Sequence, residues 1–308
     1  LDEVSSHGYA WGYIGSCIPF VVCLAIYVLA MFELVPLKEE TAISIGFILT
    51  AIWWLVVSLP LYKSYRQKHY ISEEEAKIEA NLFTQVGHSI KEAAKDKRIL
   101  LFLLAFFFYI DGVYTIIEEA TAFGTSLNLD SIGLLSALLV TQVVAFPSAL
   151  VVGKLAKKYS VEKMIVVCII AYFCVGVYAI FLHSLTQFWI LACCVGLFQG
   201  GIQALSRSYF TKIIPPEKSG ELFGLYDVFG KGATFLGTFI VGAVTQATNN
   251  QNYGVAALTV FFIIGLVLFL LSLKQGKPKE ADGSEEKADA AQATVSEGVA
   301  EASAEGSD

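Results

Sequence analysis

The sequence predicts an all-α membrane protein with eight transmembrane helices, and three observations lead to this prediction. Hydrophobic residues make up 56% of the 308 residues and charged residues only 16%, whereas a soluble domain carries about 25% charged residues. Long uncharged runs alternate with short charged ones, as in proteins that cross a bilayer repeatedly. The runs are continuous and show no alternation of apolar and polar residues, which excludes a transmembrane barrel.

The eight predicted spans are long enough to cross the hydrocarbon core, because a helix rises about 1.5 Å per residue. They cover residues 11–32, 41–62, 99–117, 131–152, 164–182, 185–206, 222–247 and 253–273. Lys and Arg concentrate in alternate connections, at 63–98, 154–163, 207–218 and 274–279. The opposite connections contain one such residue, Lys38. The positive-inside rule therefore predicts that the basic connections and the C-terminus are cytoplasmic.

The basic segment 63–98 separates two predicted spans from the six that follow. Ser72 and Glu75 form a capping-box pattern that favours the start of a helix. Apolar residues then recur every four positions, at Ile78, Leu82, Val86 and Ile90. This stripe predicts an amphipathic helix on the membrane surface or against the bundle, with a solvated linker as the alternative. The acidic tail 274–308 has too few large apolar residues to order itself, so we expect it to be disordered.

Three blocks of the sequence resemble one family of transporters. They are residues 4–16 (VSSHGYAWGYIGS), residues 109–113 (YIDGV) and residues 198–208 (FQGGIQALSRS), the last followed by IPP at 214–216 and FGLYDVFGK at 223–231. Together they resemble the autophagy-related vacuolar amino-acid effluxers of the major facilitator superfamily, including bacterial members. The resemblance covers residues 2–273, although Asp2-Glu3 departs from the acid–base pair usual in that family.

The connection 153–160 is similar to the signature loop of facilitator transporters. Lys157 replaces the usual Asp and Ser160 replaces the usual second Gly. These replacements leave two interpretations open: a gating loop, or a simple positively charged cytoplasmic loop.

The resemblance implies a major facilitator fold in which this chain supplies eight of twelve expected helices. Residues 1–62 would be the last two helices of the N-terminal half, and residues 99–273 the complete six-helix C-terminal half. Four spans would precede residue 1, so we expect the sequence to be an N-terminally truncated fragment. The layout of two spans, a long cytoplasmic segment and six spans agrees with the two-repeat plan of such transporters.

The implied function is secondary active transport of small solutes, such as amino acids or similar zwitterions, by alternating access in a bacterial cytoplasmic membrane. A drug or peptide exporter of the same fold, and a membrane scaffold or receptor that transports nothing, remain alternatives. No span carries a metalloprotease motif, a nucleophile–base pair or a nucleotide-binding glycine pattern, so we do not expect an enzyme. The expected partners are the lipid bilayer, a small-molecule substrate and a coupling proton. No cofactor, metal or nucleic-acid site is predicted.

Ionisable side chains within the spans are the first candidates for the solute or ion pathway, because they are costly in a bilayer. Asp111 lies near the predicted bilayer middle beside Tyr109, where a carboxyl group suits proton coupling or the binding of an amine; a structural hydrogen bond between helices is the alternative. Asp227 and Lys231 are four residues apart and share a helix face. They either neutralise each other or line a water-filled pathway, where Lys231 would bind a carboxylate.

The sixth predicted span carries further candidates. Gln199 and Gln203 present amides from one helix face, either to the pathway or to a neighbouring helix. Arg207 at its cytoplasmic end is either a gate residue or a snorkelling anchor. Helix packing is predicted at small residues spaced four apart, a pattern that lets backbones approach closely. These are Gly8, Gly12, Gly196 and Gly200.

Overall fold

The computed structural model describes residues 2–65 and 82–275, and this part of the chain is built from α-helices. The first half of the described sequence forms α1 (Asp2–Met31), α2 (Glu39–Ser64), α3 (Leu82–Lys95), α4 (Lys97–Glu118), α5 (Ala120–Ser126) and α6 (Ser131–Tyr159). The second half forms α7 (Val161–Ala179), α8 (Leu185–Ile213), α9 (Ser219–Thr248), α10 (Gln251–Ala257) and α11 (Thr259–Lys274). A single 3₁₀ turn, Pro216–Lys218, precedes α9.

Eight segments of the described chain are long and apolar enough to span a membrane, which confirms the predicted number. Seven are single helices, and the eighth combines α10 and α11. The break falls at Leu258, whose N–H bonds to the carbonyl of Val255 at 3.1 Å in a tightened turn. Hydropathy did not reveal this break, because the residues on both sides are equally apolar.

Helices α6 and α8 continue well beyond the predicted spans. Hydropathy marks where the lipid ends, whereas a helix continues until a residue stops it. Ser160 stops α6 with a positive φ of 76°, and its side chain accepts a hydrogen bond from the N–H of Lys163 at 3.4 Å to cap α7. Pro215 and Pro216 follow α8 and prevent its extension.

Two groups of helices bury most of the core. In one group, α4 packs against α9 and α11. In the other, α6 packs along α8 and α1. Aromatic side chains fill the space between α4, α8, α9 and α11, where Phe102 contacts Tyr209, Phe210 and Phe269 and Phe106 stacks on Tyr226 at 4.0 Å. Helix α2 packs chiefly on α1, and Ala42 is its single buried residue.

Helix α3 lies within the segment between the second and third spans and packs against α4 and α9. His88 Nδ1 lies 3.4 Å from Glu221 Oε1 near the start of α9. Asp96 then caps α4, because its carboxylate accepts a hydrogen bond from the N–H of Arg98 at 2.7 Å. The predicted capping box at Ser72 and Glu75 lies outside the described residues, as do Ile78 and residues 276–308 of the tail.

Candidate functional site

A crevice of about 710 Å³ lies between α1, α6 and α8. We call it the central crevice. Its described walls are Val4, Ser5, Gly8, Tyr9, Gly12, Tyr13, Ser16, Gln142, Arg207, Ser208 and Thr211. It reaches the end of the bundle where Lys157, Arg207 and Lys212 lie, which we call the basic end. The crevice is open, and its mostly apolar walls carry a few polar side chains, as small-molecule sites commonly do.

Tyr13 lines the crevice from α1. Its hydroxyl donates a hydrogen bond to Gln203 Oε1 at 2.8 Å, which joins α1 to α8. Its ring also lies against the backbone of Gly200, since a Cβ at Gly200 would be 3.0 Å from Tyr13 Cε2. Sequence reasoning did not select Tyr13, although it lies within the first resemblance block. A tyrosine within a span is uncharged, so its presence in the sequence does not by itself indicate a functional site.

Gln199, Gln203 and Arg207 follow one another at intervals of four residues on α8 and therefore share one helix face. Gln199 is 4% exposed, and its Oε1 has no hydrogen-bond partner among the described residues. Arg207 lines the crevice with its guanidinium carbon 5.1 Å from the Phe223 ring centre. The structure thus brings three of the predicted site residues together with Tyr13.

Gln142 on α6 also lines the crevice, and sequence reasoning missed it. Its Oε1 is buried and has no hydrogen-bond partner among the residues that the structure describes. The available signal was a lone amide within an otherwise apolar span.

Asp111 and Tyr109 lie on α4, away from the walls of the crevice. Asp111 is 0% exposed. Its Oδ1 accepts hydrogen bonds from Thr115 Oγ1 at 3.1 Å and from the N–H of Gly237 at 3.0 Å. Its Oδ2 has no partner in the described part of the chain. Tyr109 is buried and its hydroxyl lies 2.7 Å from Ser206 Oγ, so it links α4 to α8. Asp111 therefore joins α4 to α9 through Oδ1, while its Oδ2 makes no hydrogen bond to a described residue.

Asp227 and Lys231 are both exposed on α9. No ion pair within 4.0 Å joins them in the described residues. Asp227 lies within electrostatic range of Tyr9 and Tyr114, and Arg207 also acts on Tyr9. Asp227 is therefore near Tyr9, one of the crevice residues of α1.

The two glycine pairs have different surroundings. A Cβ at Gly196 would lie 2.6 Å from the Thr141 carbonyl oxygen, and one at Gly200 would lie 2.7 Å from Ala149 Cβ. These glycines allow α8 to approach α6 closely. A Cβ at Gly8 or Gly12 would meet nothing within 4 Å. Both glycines line the crevice and no described helix packs closely against them, so close packing at this pair stays a prediction.

Acidic residues at the start of α1 form ion pairs with lysines of the basic end. Asp2 Oδ2 lies 2.7 Å from Lys212 Nζ, and Asp2 Oδ1 accepts a hydrogen bond from Ser208. Glu3 Oε2 lies 2.5 Å from Lys157 Nζ. These contacts tie α1 to α8 and α6. The sequence showed an unusual acid at position 3 and an unusual base at position 157 but did not show that they pair.

Comparison with known proteins identifies the family of this chain. Residues 1–282 match the family model described as vacuole effluxer Atg22 like. The chain belongs to this family. An MFS-type transporter of Bacillus subtilis (strain 168), YxiO, described as uncharacterized, is 42% identical over 268 residues, which are 87% of this chain and 62% of that protein. The Atg22-like chain is therefore an integral multi-pass membrane protein with the major facilitator fold.

Fungal relatives of the Atg22-like chain are more distant. Autophagy-related protein 22 of Saccharomyces cerevisiae (strain ATCC 204508 / S288c) is 26% identical over 305 residues, which are 87% of this chain and 58% of that protein. The protein of the same name from Kluyveromyces lactis is 24% identical over 296 residues, which are 89% of this chain and 59% of that protein. The Atg22-like chain thus spans about three-fifths of the length of these relatives.

Proposed function

We propose that the protein containing this chain is a secondary transporter that moves small solutes, amino acids or similar zwitterions, by alternating access. The central crevice carries the proposal, since Tyr13 and Arg207 line an open volume of about 710 Å³ and the hydroxyl of Tyr13 is held by its hydrogen bond to Gln203. The family name, effluxer, and the description of the Bacillus relative as a transporter support movement of solutes. Neither description names a substrate or a mechanism. The choice of amino acids or similar zwitterions as substrates, and of alternating access as the mechanism, is our own proposal.

The charged groups are distributed as such a solute requires. Arg207 offers a cation at the crevice and Lys231 a second one on α9, each able to attract a carboxylate. Asp227 lies near Tyr9 of the crevice and can attract an ammonium group. Asp111 is buried between α4 and α9, and its Oδ2 has no hydrogen-bond partner among the described residues, which suits a proton that is exchanged during transport. We place the basic end and the C-terminus in the cytoplasm of a bacterial cell.

Reconstitution of the intact protein tests this proposal. Proteoliposomes with an imposed pH gradient are supplied with radiolabelled amino acids, a labelled dipeptide or a cationic dye, and uptake is compared with protein-free vesicles. Gradient-dependent uptake of amino acids is the expected result. Movement of the dipeptide or dye alone would indicate an exporter of another substrate class. Movement of none of them would favour a scaffold or receptor.

Water access provides a second test that needs no substrate. Cysteine placed at positions 199, 203 and 231 should react with a water-soluble maleimide. Unreactive positions would argue against an aqueous pathway along α8 and α9.

A further inference from the structure

Arg207 lines the central crevice from α8, and its two described neighbours there are uncharged. Its guanidinium carbon lies over the Phe223 ring of α9, 5.1 Å from the ring centre. The hydroxyl oxygen of Tyr9 on α1 accepts a hydrogen bond from its guanidinium group. Tyr9 is itself one of the crevice walls. Three helices therefore hold a guanidinium group at the crevice without neutralising its charge.

No carboxylate of the described chain forms an ion pair with Arg207. The two acids at the start of α1 pair with Lys157 and Lys212 instead. Asp227 lies near Tyr9, but no ion pair within 4.0 Å joins it to Arg207 in the described residues. A guanidinium group has five N–H donors and no acceptor. The Tyr9 hydroxyl accepts from this group, and further donors remain for a ligand in the crevice.

Arg98 provides a comparison within the same chain. Its Nε and Nη2 donate to the Tyr209 hydroxyl at 3.3 and 3.0 Å, and its guanidinium carbon lies 5.6 Å from the centre of the Tyr209 ring. Arg98 is not among the described walls of the central crevice. Arg207 has the same kinds of neighbour, a phenol and an aromatic ring, but borders an open volume of about 710 Å³. The two arginines thus differ in their access to a solute.

Tyr9 occupies a fixed position because α1 is joined to α8 on both sides of it. Four residues earlier, Ser5 Oγ donates to the Ala204 carbonyl at 2.9 Å. Four residues later, the Tyr13 hydroxyl donates to Gln203 Oε1 at 2.8 Å. The rings of Tyr9 and Tyr13 lie 6.5 Å apart. A guanidinium group bound to this phenol is therefore already oriented, which lowers the entropic cost of binding a ligand.

We propose that Tyr9 is a positioning residue, which orients the Arg207 guanidinium so that its remaining donors bind the carboxylate of a solute in the central crevice. This proposal rests on the proposed function and adds a specific carboxylate site to it. A guanidinium group and a carboxylate match in geometry, because two parallel N–H···O bonds can form at once. The Phe223 ring stabilises the cation from one face and leaves its N–H edge available.

Protection of Arg207 from chemical modification tests this site without any transport. The intact purified protein is treated with phenylglyoxal, which modifies guanidinium groups, and mass spectrometry measures the modified fraction of the Arg207 and Arg98 peptides. Three probes are compared: an equimolar mixture of the neutral standard amino acids, the same mixture converted to carboxamides, and a mixture of acetate, benzoate and succinate. The amino acids should protect Arg207 at least about tenfold better than the carboxamides. Arg98 should be modified equally in all samples.

Tyr9→Phe tests the positioning role, because it removes the hydroxyl and keeps the ring. The amino-acid concentration that gives half-maximal protection of Arg207 should rise about fivefold. The weak protection by the carboxamides should stay the same, whereas a general distortion of the crevice would weaken both. The matched control is Tyr27→Phe, since Tyr27 lies on the same helix and is not among the described walls of the crevice. It should retain the wild-type value.

Equal protection by amino acids and carboxamides, or protection by none of the probes, would overturn the carboxylate site. An unchanged half-maximal concentration in Tyr9→Phe, or an equal loss for amino acids and carboxamides, would overturn the role of Tyr9. Protection by the simple carboxylates but not by the amino acids would support the site and contradict amino acids as substrates. Failure of uptake in the reconstitution assay, with protection intact, would instead contradict the proposed transport.

Discussion

Asp2 and Lys212 are 210 positions apart in the sequence, yet the Asp2 carboxylate lies 2.7 Å from the Lys212 ammonium group at the basic end of the central crevice. The same carboxylate accepts a hydrogen bond from Ser208. Because Asp2 begins α1 and Lys212 is near the end of α8, their separation would widen the crevice on that side. The contact is therefore a candidate for a closing interaction between two helices.

Reversal of either charge should favour the open arrangement of the basic end. Lys212→Asp or Asp2→Lys should raise the maleimide labelling rate of Ser5→Cys about fivefold, since a partly exposed ion pair contributes roughly 1 kcal/mol. The double exchange should restore the wild-type rate. A double variant that labels as fast as the single ones would show that the pair does not hold the helices.

Asp111→Asn should abolish proton-coupled uptake while expression stays normal. Asparagine keeps an oxygen that can accept from Gly237 and Thr115, but it cannot carry the exchanged proton. The measurement is uptake with and without a pH gradient. Thr115→Val is the control, because it removes one hydrogen bond and leaves the carboxyl group. Unchanged dependence on the gradient in Asp111→Asn would restrict Asp111 to joining α4 and α9.

Lys231→Ala should raise the half-saturation concentration for a zwitterionic substrate by about tenfold, the expected effect of losing a charge-assisted hydrogen bond. No ion pair with Asp227 competes for the ammonium group in the described structure. Lys158→Ala removes the same charge from the basic end and should leave the value unchanged. Equal values for Lys231→Ala and the wild type would remove Lys231 from the substrate site.

Gly196→Ala should lower the free energy of unfolding by about 1–3 kcal/mol, because the new methyl group would press on the Thr141 carbonyl oxygen. Gly12→Ala is the matched control, since nothing lies within 4 Å of a Cβ there. It should be neutral or stabilise α1 by up to about 1 kcal/mol through helix propensity. Thermal unfolding of the detergent-solubilised protein measures both. A similar loss of unfolding free energy in Gly196→Ala and Gly12→Ala would contradict the difference in packing at the two glycines.

Ser160→Gly should stabilise the protein by about 1 kcal/mol. Ser160 has a φ of 76° and a ψ of 147°, a backbone conformation that is costly for residues with a Cβ and open to glycine. The long capping hydrogen bond to Lys163 contributes little that glycine would lose. Ser160→Ala keeps the strain and removes the cap, so its melting temperature should fall. A lower melting temperature for Ser160→Gly would show that the cap outweighs the strain.

The candidate site could be predicted only in part. Gln199, Gln203 and Arg207 were found because polar groups within a span are rare, and their spacing places them on one face of α8. Tyr13 and Gln142 were missed, since a phenol is uncharged and a single amide, without a second one four residues away, defines no polar helix face. Glu3 and Lys157 were noted as departures from a family pattern, but their ion pair depends on how α1 lies against α6.

The sequence by itself determined the eight spans, because whether a segment is long and apolar enough to cross a bilayer depends only on neighbouring residues. Only the tertiary structure decided which faces of those helices meet. The hydrogen bond of Tyr13 to Gln203 and that of Gly237 to Asp111 join residues 190 and 126 positions apart. Such contacts depend on the close approach of helix backbones at residues such as Gly196 and Gly200, which packing sets and local hydropathy does not encode.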